Sequence, residues 1–260
     1  MKKILVALLA LVMAFSMLTA SAEGASDKQY VIDKGVLVVG ITDFEPMDYK
    51  DAEGNWIGFD ADVAKAFAAE LGVAVEFVEI DWDNKILELD AKAVDCIWNG
   101  MTLTDAVKAA METSNPYMNN AQVVVVPAEK AADYQTIESL KDLVFAVEAG
   151  SAGEAEVAAL GLAANPVLAQ ADALMEVAAG TSDAAVIDAL MAAAMIGEGT
   201  SYENLTYTVG LNSEEYGVGF RKGSDLAAEL NAFLVKYYAE GELQKVAETY
   251  KVQAALIEQK

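Results

Sequence analysis

Ala121-Gln122-Val123-Val124-Val125-Val126 and, far downstream, Glu214-Glu215-Tyr216-Gly217-Val218-Gly219-Phe220 are the two stretches whose reading decides the fold. Both read as extended, and between them lies a self-contained set of alternating strand and helix signals. A chain that leaves one α/β unit through the first stretch and returns through the second builds two lobes joined by two crossover strands. The boundaries that follow are lobe 1 at about 34–121 plus 218–260, lobe 2 at about 127–213, and hinges at about 122–126 and 214–217. A cleft between two such lobes is where a ligand is expected, at the carboxyl ends of the strands.

Outward from these stretches the same alternation continues. Short β-branched runs predict strands over Val36–Ile41, Val73–Glu79, Ala93–Trp98, Val144–Glu148 and Ala184–Ile187. Ala- and Leu-rich stretches of helical period predict helices over Ala61–Leu71, Asp83–Lys92, Thr104–Ala110, Ser139–Asp142, Gly153–Leu160, Asp172–Ala179, Ala189–Met195, Asp225–Glu240 and Glu242–Tyr250. Strands alternating with helices through short connections are the signature of parallel sheets. Asp60 is placed to open a helix that buries Val63, Ala64, Phe67 and Leu71, and Gly72 to end it. Asp51-Ala52-Glu53-Gly54-Asn55 reads as a hairpin turn.

The N-terminus supplies a compartment. Met1-Lys2-Lys3 is followed by an apolar run from Ile4 to Leu18 and then by Ala20-Ser21-Ala22, the pattern of a secretory signal peptide spanning 1–22. Cleavage removes Lys2 and Lys3 but no acid, which takes the net charge from −24 to −26. So acidic a chain is a poor partner for nucleic acid. The single cysteine, Cys96, reads as a small core residue and is too far from the cleavage region to carry a lipid anchor, so a soluble, exported protein is expected. There is no histidine and one arginine, Arg221, an inventory that excludes a hydrolase triad and a histidine zinc site. No cofactor or metal is implied.

Val38-Val39-Gly40, Phe44-Glu45-Pro46-Met47-Asp48-Tyr49, Gly58-Phe59-Asp60-Ala61-Asp62-Val63-Ala64, Asp81-Trp82-Asp83, Val94 through Thr104, Ser114-Asn115-Pro116-Tyr117 and Gly217 through Gly223 occur in an order that spans nearly the whole exported chain. Together they resemble the polar amino-acid-binding proteins that serve ATP-driven importers, bacterial extracellular solute-binding proteins of family 3. The resemblance implies the type II periplasmic-binding-protein fold. It also implies an amino-acid ligand, an ABC transporter permease as membrane partner, and a monomer in the periplasm or outside the cell.

Carried over residue by residue, the resemblance implies aromatic walls at Phe44 and Trp82, and contacts to the ligand's ammonium and carboxylate from Asn99, Gly100 and Thr102. In the second lobe, Gly150-Ser151-Ala152 matches a small-residue turn at a helix start that receives a carboxylate, by geometry and by the helix dipole. Asp188 matches the acid that pairs with the ligand's ammonium. One position departs from the pattern: Val107 stands where the family usually places a carboxylate-binding arginine. An apolar side chain cannot replace the guanidinium fork, and Lys108 lies about 100° further round the helix. Neutral or cationic amino acids are therefore expected over acidic ones. Asp43, Glu45 and Glu148 are expected near the cleft as solvated carboxylates. An enzyme on the same fold, such as a dehydratase of small acids, is the alternative; it needs an activated acid at Glu148 or Asp188 and a cation for an anionic substrate.

Overall fold

A computed structural model describes residues 26–260; the expected signal peptide lies outside them. Two mixed sheets account for the two lobes. The first takes strands β1 (Val36–Ile41), β4 (Ala74–Glu79), β5 (Cys96–Thr102), β6 (Glu112–Thr113), β7 (Met118–Asn120) and β13 (Glu214–Phe220), in the order β4-β1-β5-β13-β6, with β7 also paired to β13. The second has the order β10-β9-β11-β8-β12, from β8 (Gln122–Pro127), β9 (Val144–Glu148), β10 (Ala163–Val167), β11 (Ala184–Asp188) and β12 (Leu205–Gly210). A small hairpin, β2 (Tyr49–Lys50) with β3 (Trp56–Ile57), turns on the Asp51 carboxylate, which accepts the backbone amides of Glu53 and Asn55.

Each sheet is built on parallel strands. β4, β1 and β5 run parallel in the first, β10, β9 and β11 in the second, and antiparallel β13 and β8 lie beside them. The chain passes from the first sheet to the second at Ala121, between β7 and β8, and returns through 211–213, between β12 and β13. Val123–Val126 lies wholly inside the second sheet and Glu215–Gly217 wholly inside the first, so the passages stand one to a few residues ahead of the stretches expected to make them. The reason is hydrogen bonding: Ile187 already pairs with Val123 and Asp188 with Gln122, and the ladder on β13 begins at Glu214 opposite Asn120.

Four strands have no counterpart in the sequence reading: the short β6 and β7, and β10 and β12, which are the two edges of the second sheet. Ala163–Val167 contains Pro166 and almost no β-branched residue, which an edge tolerates because no inner ladder is interrupted. A polar helix, α1 (Asp27–Lys34), is a further addition. The helix expected from Ala61 starts at Phe59 (α2, Phe59–Leu71), with Gly58 rather than Asp60 at its cap. Asp60 is instead fully buried; its carboxylate accepts the Gly100 amide at 2.6 Å and the Tyr117 hydroxyl at 2.7 Å. Gly72 ends the helix as read, in the left-handed conformation, its amide on the Ala68 and Ala69 carbonyls.

Arg221 is tied into a buried cluster. Its guanidinium donates to Asp27 at 3.0 Å, to the Val94 carbonyl at 2.8 Å and to Asp95 at 3.5 Å, and Lys34 meets Asp95 at 2.6 Å. The one arginine is thereby committed to holding α1, β5 and β13 together, and takes no part in the cleft.

Candidate functional site

The carboxyl ends of the parallel strands of both sheets meet across a cavity of about 290 Å³. Thr42 and Phe44 follow β1, Trp82 and Lys85 follow β4, and Asn99, Gly100 and Thr102 end β5. From the second sheet come Glu148, at the end of β9, the Gly150-Ser151-Ala152 turn after it, and Asp188, at the end of β11. All nine residues singled out from the sequence line this one space. Strand ends converge here because each parallel strand must hand the chain to a loop at its carboxyl end, on the same edge of its sheet.

The aromatic walls are fixed by packing. Phe44 meets the Tyr216 ring edge-on at 6.3 Å, and a Cβ added to Gly100, whose φ is +54°, would lie 2.5 Å from Phe44 Cε1. Trp82 packs with Leu89, Val94, Ile97, Met101, Val107 and Met111. Val107 thus lines the cavity as part of an apolar wall, and Lys108 is exposed. Trp98 is core, tilted against Phe67 at 6.2 Å.

The polar groups are a different matter, because most are already engaged within the protein. The Asn99 side chain accepts the Thr42 amide and hydroxyl and donates to the Thr42 carbonyl at 3.2 Å and to Asp48 at 3.0 Å. The Gly100 amide is held by Asp60. The Thr102 hydroxyl donates to Glu214 at 3.0 Å. In the turn of the second lobe, the Gly150 amide donates to Glu154 at 2.8 Å, and the Ser151 hydroxyl caps the next helix, α3 (Ala152–Ala159), by accepting the Glu154 amide at 3.1 Å. The cap therefore occupies the Gly150 amide, while the Ser151 hydroxyl, which only accepts in the cap, keeps its O–H to donate.

Asp188 is 4 % exposed and sits in a ring of donors. Its Oδ1 accepts Tyr216 Oη at 2.6 Å, Gln122 Nε2 at 3.1 Å and Asn120 Nδ2, and its Oδ2 accepts Gln170 Nε2. Glu214 shares two of these donors, Asn120 and Gln122. Burial first, and the Glu214 charge second, push the Asp188 carboxyl up to about 8, against the Tyr216 and Gln170 hydrogen bonds.

Two charged residues of the cavity were not on the sequence-derived roster. Glu148, expected to be solvated, is 2 % exposed, and its Oε1 has no hydrogen-bond partner among the described residues. Burial and then the Asp188 charge push it to about 8, with Thr42 and Lys85 pulling the other way. Lys85 is 8 % exposed; its ammonium stands 4.9 Å from the Trp82 ring centroid and donates to the Trp82 carbonyl at 3.0 Å and, across the cleft, to the Gly150 carbonyl at 2.8 Å. Burial holds its pKa below the usual lysine range against the pull of Glu148 and other acids. The signal that could have found Lys85 is its position three residues after Trp82, one helical turn on, where an ammonium reaches the ring. Glu148 carries no such local signal, since the groups that interact with it, Asp188, Thr42 and Lys85, are distant in sequence. Asp43 and Glu45 line a smaller groove of about 160 Å³ with Tyr49, Lys50 and Met191.

These buried acids have a pH signature. Unfolded, Glu148 and Asp188 lose their protons near pH 4; folded, they hold them to about pH 8. The folded state therefore binds more protons through that window, and stability falls as pH rises from about 4 to about 8. Thermal unfolding from pH 5 to 9 is expected to show this fall, and Glu148→Gln to flatten part of it. An unchanged slope in that variant removes Glu148 from the effect.

Residues 37–253 match the model of the bacterial extracellular solute-binding proteins, family 3. The arginine-binding extracellular protein ArtP of Bacillus subtilis is 28% identical over 95% of this chain and 96% of its own. A crystal structure of a mutant of ArgBP from T. maritima superposes with a TM-score of 0.81 at 32% identity, covering 86% of this chain and 99% of that one. A cyclohexadienyl dehydratase of Pseudomonas aeruginosa is 27% identical over 42% of this chain and 41% of its own.

Proposed function

This chain belongs to family 3 of the bacterial extracellular solute-binding proteins, and on that premise we propose that its cleft captures an amino acid of zero or positive net charge. The ligand is then delivered to the permease of an ABC importer. The observation that carries this reading is the convergence of strand ends from two lobes on one cavity walled by Phe44 and Trp82 and floored by Asp188 and Glu148. A volume of about 290 Å³ suits a small polar solute. Two buried acids against one lysine leave the lining short of positive charge, which disfavours a second carboxylate on the ligand. The names of relatives, an arginine-binding protein among them, point the same way.

We further take the passages at Ala121 and 211–213 as hinges, with the lobes closing on bound ligand. No helix among the described residues is long and apolar enough to cross a membrane. With the signal sequence ahead of it, the protein works outside the cytoplasmic membrane, as a soluble monomer without a lipid anchor. It binds rather than transforms its ligand. Asp188 is held by four donors as part of the frame, the dehydratase likeness covers less than half the chain, and full-length similarity runs to a binding protein.

A thermal-shift screen of residues 23–260 against amino acids, amines and small acids tests the reading. A ligand at 100 times its dissociation constant adds about 2.7 kcal/mol to stability, an easily read shift. The expected hits are cationic and neutral amino acids. A screen in which only small acids shift the transition contradicts the proposal.

A further inference from the structure

Buried ions are costly unless they are paired. The cavity holds two ionisable groups, of opposite sign when charged, that are not paired with each other. Lys85 forms no ion pair among the described residues, and its ammonium is satisfied only by the Trp82 and Gly150 carbonyls. Glu148 is more deeply buried still, with Oε1 left without a partner. Both line the same space, one from the first lobe and one from the second. Of the other polar groups of the wall, Asn99, the Gly100 amide, Thr102 and the Gly150 amide are engaged elsewhere, and the Ser151 hydroxyl, which accepts the Glu154 amide, has a donor left but no full charge to offer.

We propose that Lys85 receives the ligand's carboxylate and Glu148 its ammonium, so that the two residues are the specificity determinants of the cleft and a zwitterion bridges the lobes between them. This inference rests on the amino-acid reading and deepens it. Lys85 is suited to replace a guanidinium that position 107 lacks. Val107 packs in the same apolar cluster as Trp82, and the Lys85 ammonium lies over that Trp82 ring, so the cation reaches the same wall from a neighbouring helix. An ammonium has three donors; two serve carbonyls, and the third is available to an anion. Glu148 completes the pair as the one acid of the floor with an unpartnered oxygen, Asp188 standing beside it as a second acid already ringed by donors. The ligand supplies both missing counterions at once. Its ammonium also draws the Glu148 carboxyl into its ionised form, so binding releases a proton at neutral pH.

Calorimetric titration of residues 23–260 with three probe sets tests this. The sets are L-arginine with agmatine and guanidinopentanoate, L-histidine with histamine and imidazolepropionate, and L-glutamine with aminobutanamide and glutaramate; within each, one probe lacks the carboxylate and one the ammonium. The wild-type protein is expected to bind an amino acid at least about 30-fold tighter than either truncated partner, the loss typical of one desolvated charge contact. Lys85→Gln is expected to weaken the amino acid by a similar factor and leave its amine within about 3-fold, and Lys85→Arg to retain the preference. Glu148→Gln is expected to weaken the amino acid and the amine but spare the deaminated acid. Equal weakening of all three probes by Lys85→Gln reduces Lys85 to a strut for Gly150 and overturns the inference, with the amino-acid reading intact. Equal wild-type affinity for amino acid and amine overturns it too, even if a variant does not fold. Failure of all three amino acids to bind the wild type contradicts the underlying reading itself.

Discussion

Asp188→Asn is expected to weaken an ammonium-bearing ligand by about 2–5 kcal/mol while the protein stays folded. The fold survives because the substitution is close to isosteric with a form the structure already favours. Burial and the Glu214 charge push the Asp188 carboxyl to about 8, so a neutral group at this position is well tolerated at neutral pH. An asparagine Oδ1 still accepts Tyr216, Gln122 and Asn120; only the contact with Gln170 Nε2 is lost, because Gln170 Oε1 stays on the backbone amide of residue 188. What disappears is an acid that the ligand's cation draws into its ionised form. Glu148 offers the open oxygen, but in a cavity that excludes water a second carboxylate at short range adds attraction that a neutral amide cannot. Calorimetric titration reads the loss directly. Unchanged affinity in a folded variant removes Asp188 from the ligand's surroundings and leaves it a purely structural role among its four donors.

Gly150→Ala is expected to cost about 1–3 kcal/mol of ligand affinity and, separately, about 1–2 kcal/mol of stability. The two costs have different origins. Gly150 has φ +71°, a left-handed conformation that penalises any Cβ whether or not the lobes are together. A Cβ there also lies 2.7 Å from Asp83 Cα and 2.8 Å from Asp83 Oδ1, on the opposite lobe. That overlap is felt only when the lobes meet, so it lowers affinity by opposing closure. It also displaces the Gly150 carbonyl from Lys85. Thermal unfolding without ligand reads the first cost and titration with an amino acid reads the second. A variant that loses stability but binds as well as the wild type shows that the lobes do not meet at Gly150 and Asp83 when ligand is bound.

The division of labour between local and tertiary information explains what could be read early. Family, fold class and the converging residues were legible because they are local: Phe44 and Trp82 sit in short words with their own spacing, and Gly150 and Asp188 stand at strand ends that hydrophobic runs announce. Which of those groups are free was not legible. Whether the Gly100 amide is open depends on Asp60, forty residues away in the chain and expected at a helix cap; whether the Gly150 amide is open depends on the Glu154 carboxylate in the first turn of the next helix. The same limit hid Glu148, whose interacting groups Asp188, Thr42 and Lys85 are all distant from it in the chain. It hid the edge strand Ala163–Val167 as well, where pairing on one side alone relaxes the demand for β-branched residues, whereas Leu205–Gly210, with Thr206, Tyr207, Thr208 and Val209, carries a strand signal that the sequence reading leaves out. Sequence identified the cleft by its aromatics and turns, while the charges that select a ligand emerged only from packing.

The central claim is that this cleft holds a ligand with one carboxylate on Lys85 and positive charge against Glu148 and Asp188. Side-by-side calorimetric titration of the wild-type protein with L-arginine, L-lysine, L-glutamine and L-glutamate tests it most directly. The account predicts saturable binding of at least one of the first three and much weaker binding of glutamate, whose second carboxylate finds no cation beyond Lys85. Tight binding of glutamate, with arginine, lysine and glutamine all failing to bind, would contradict it.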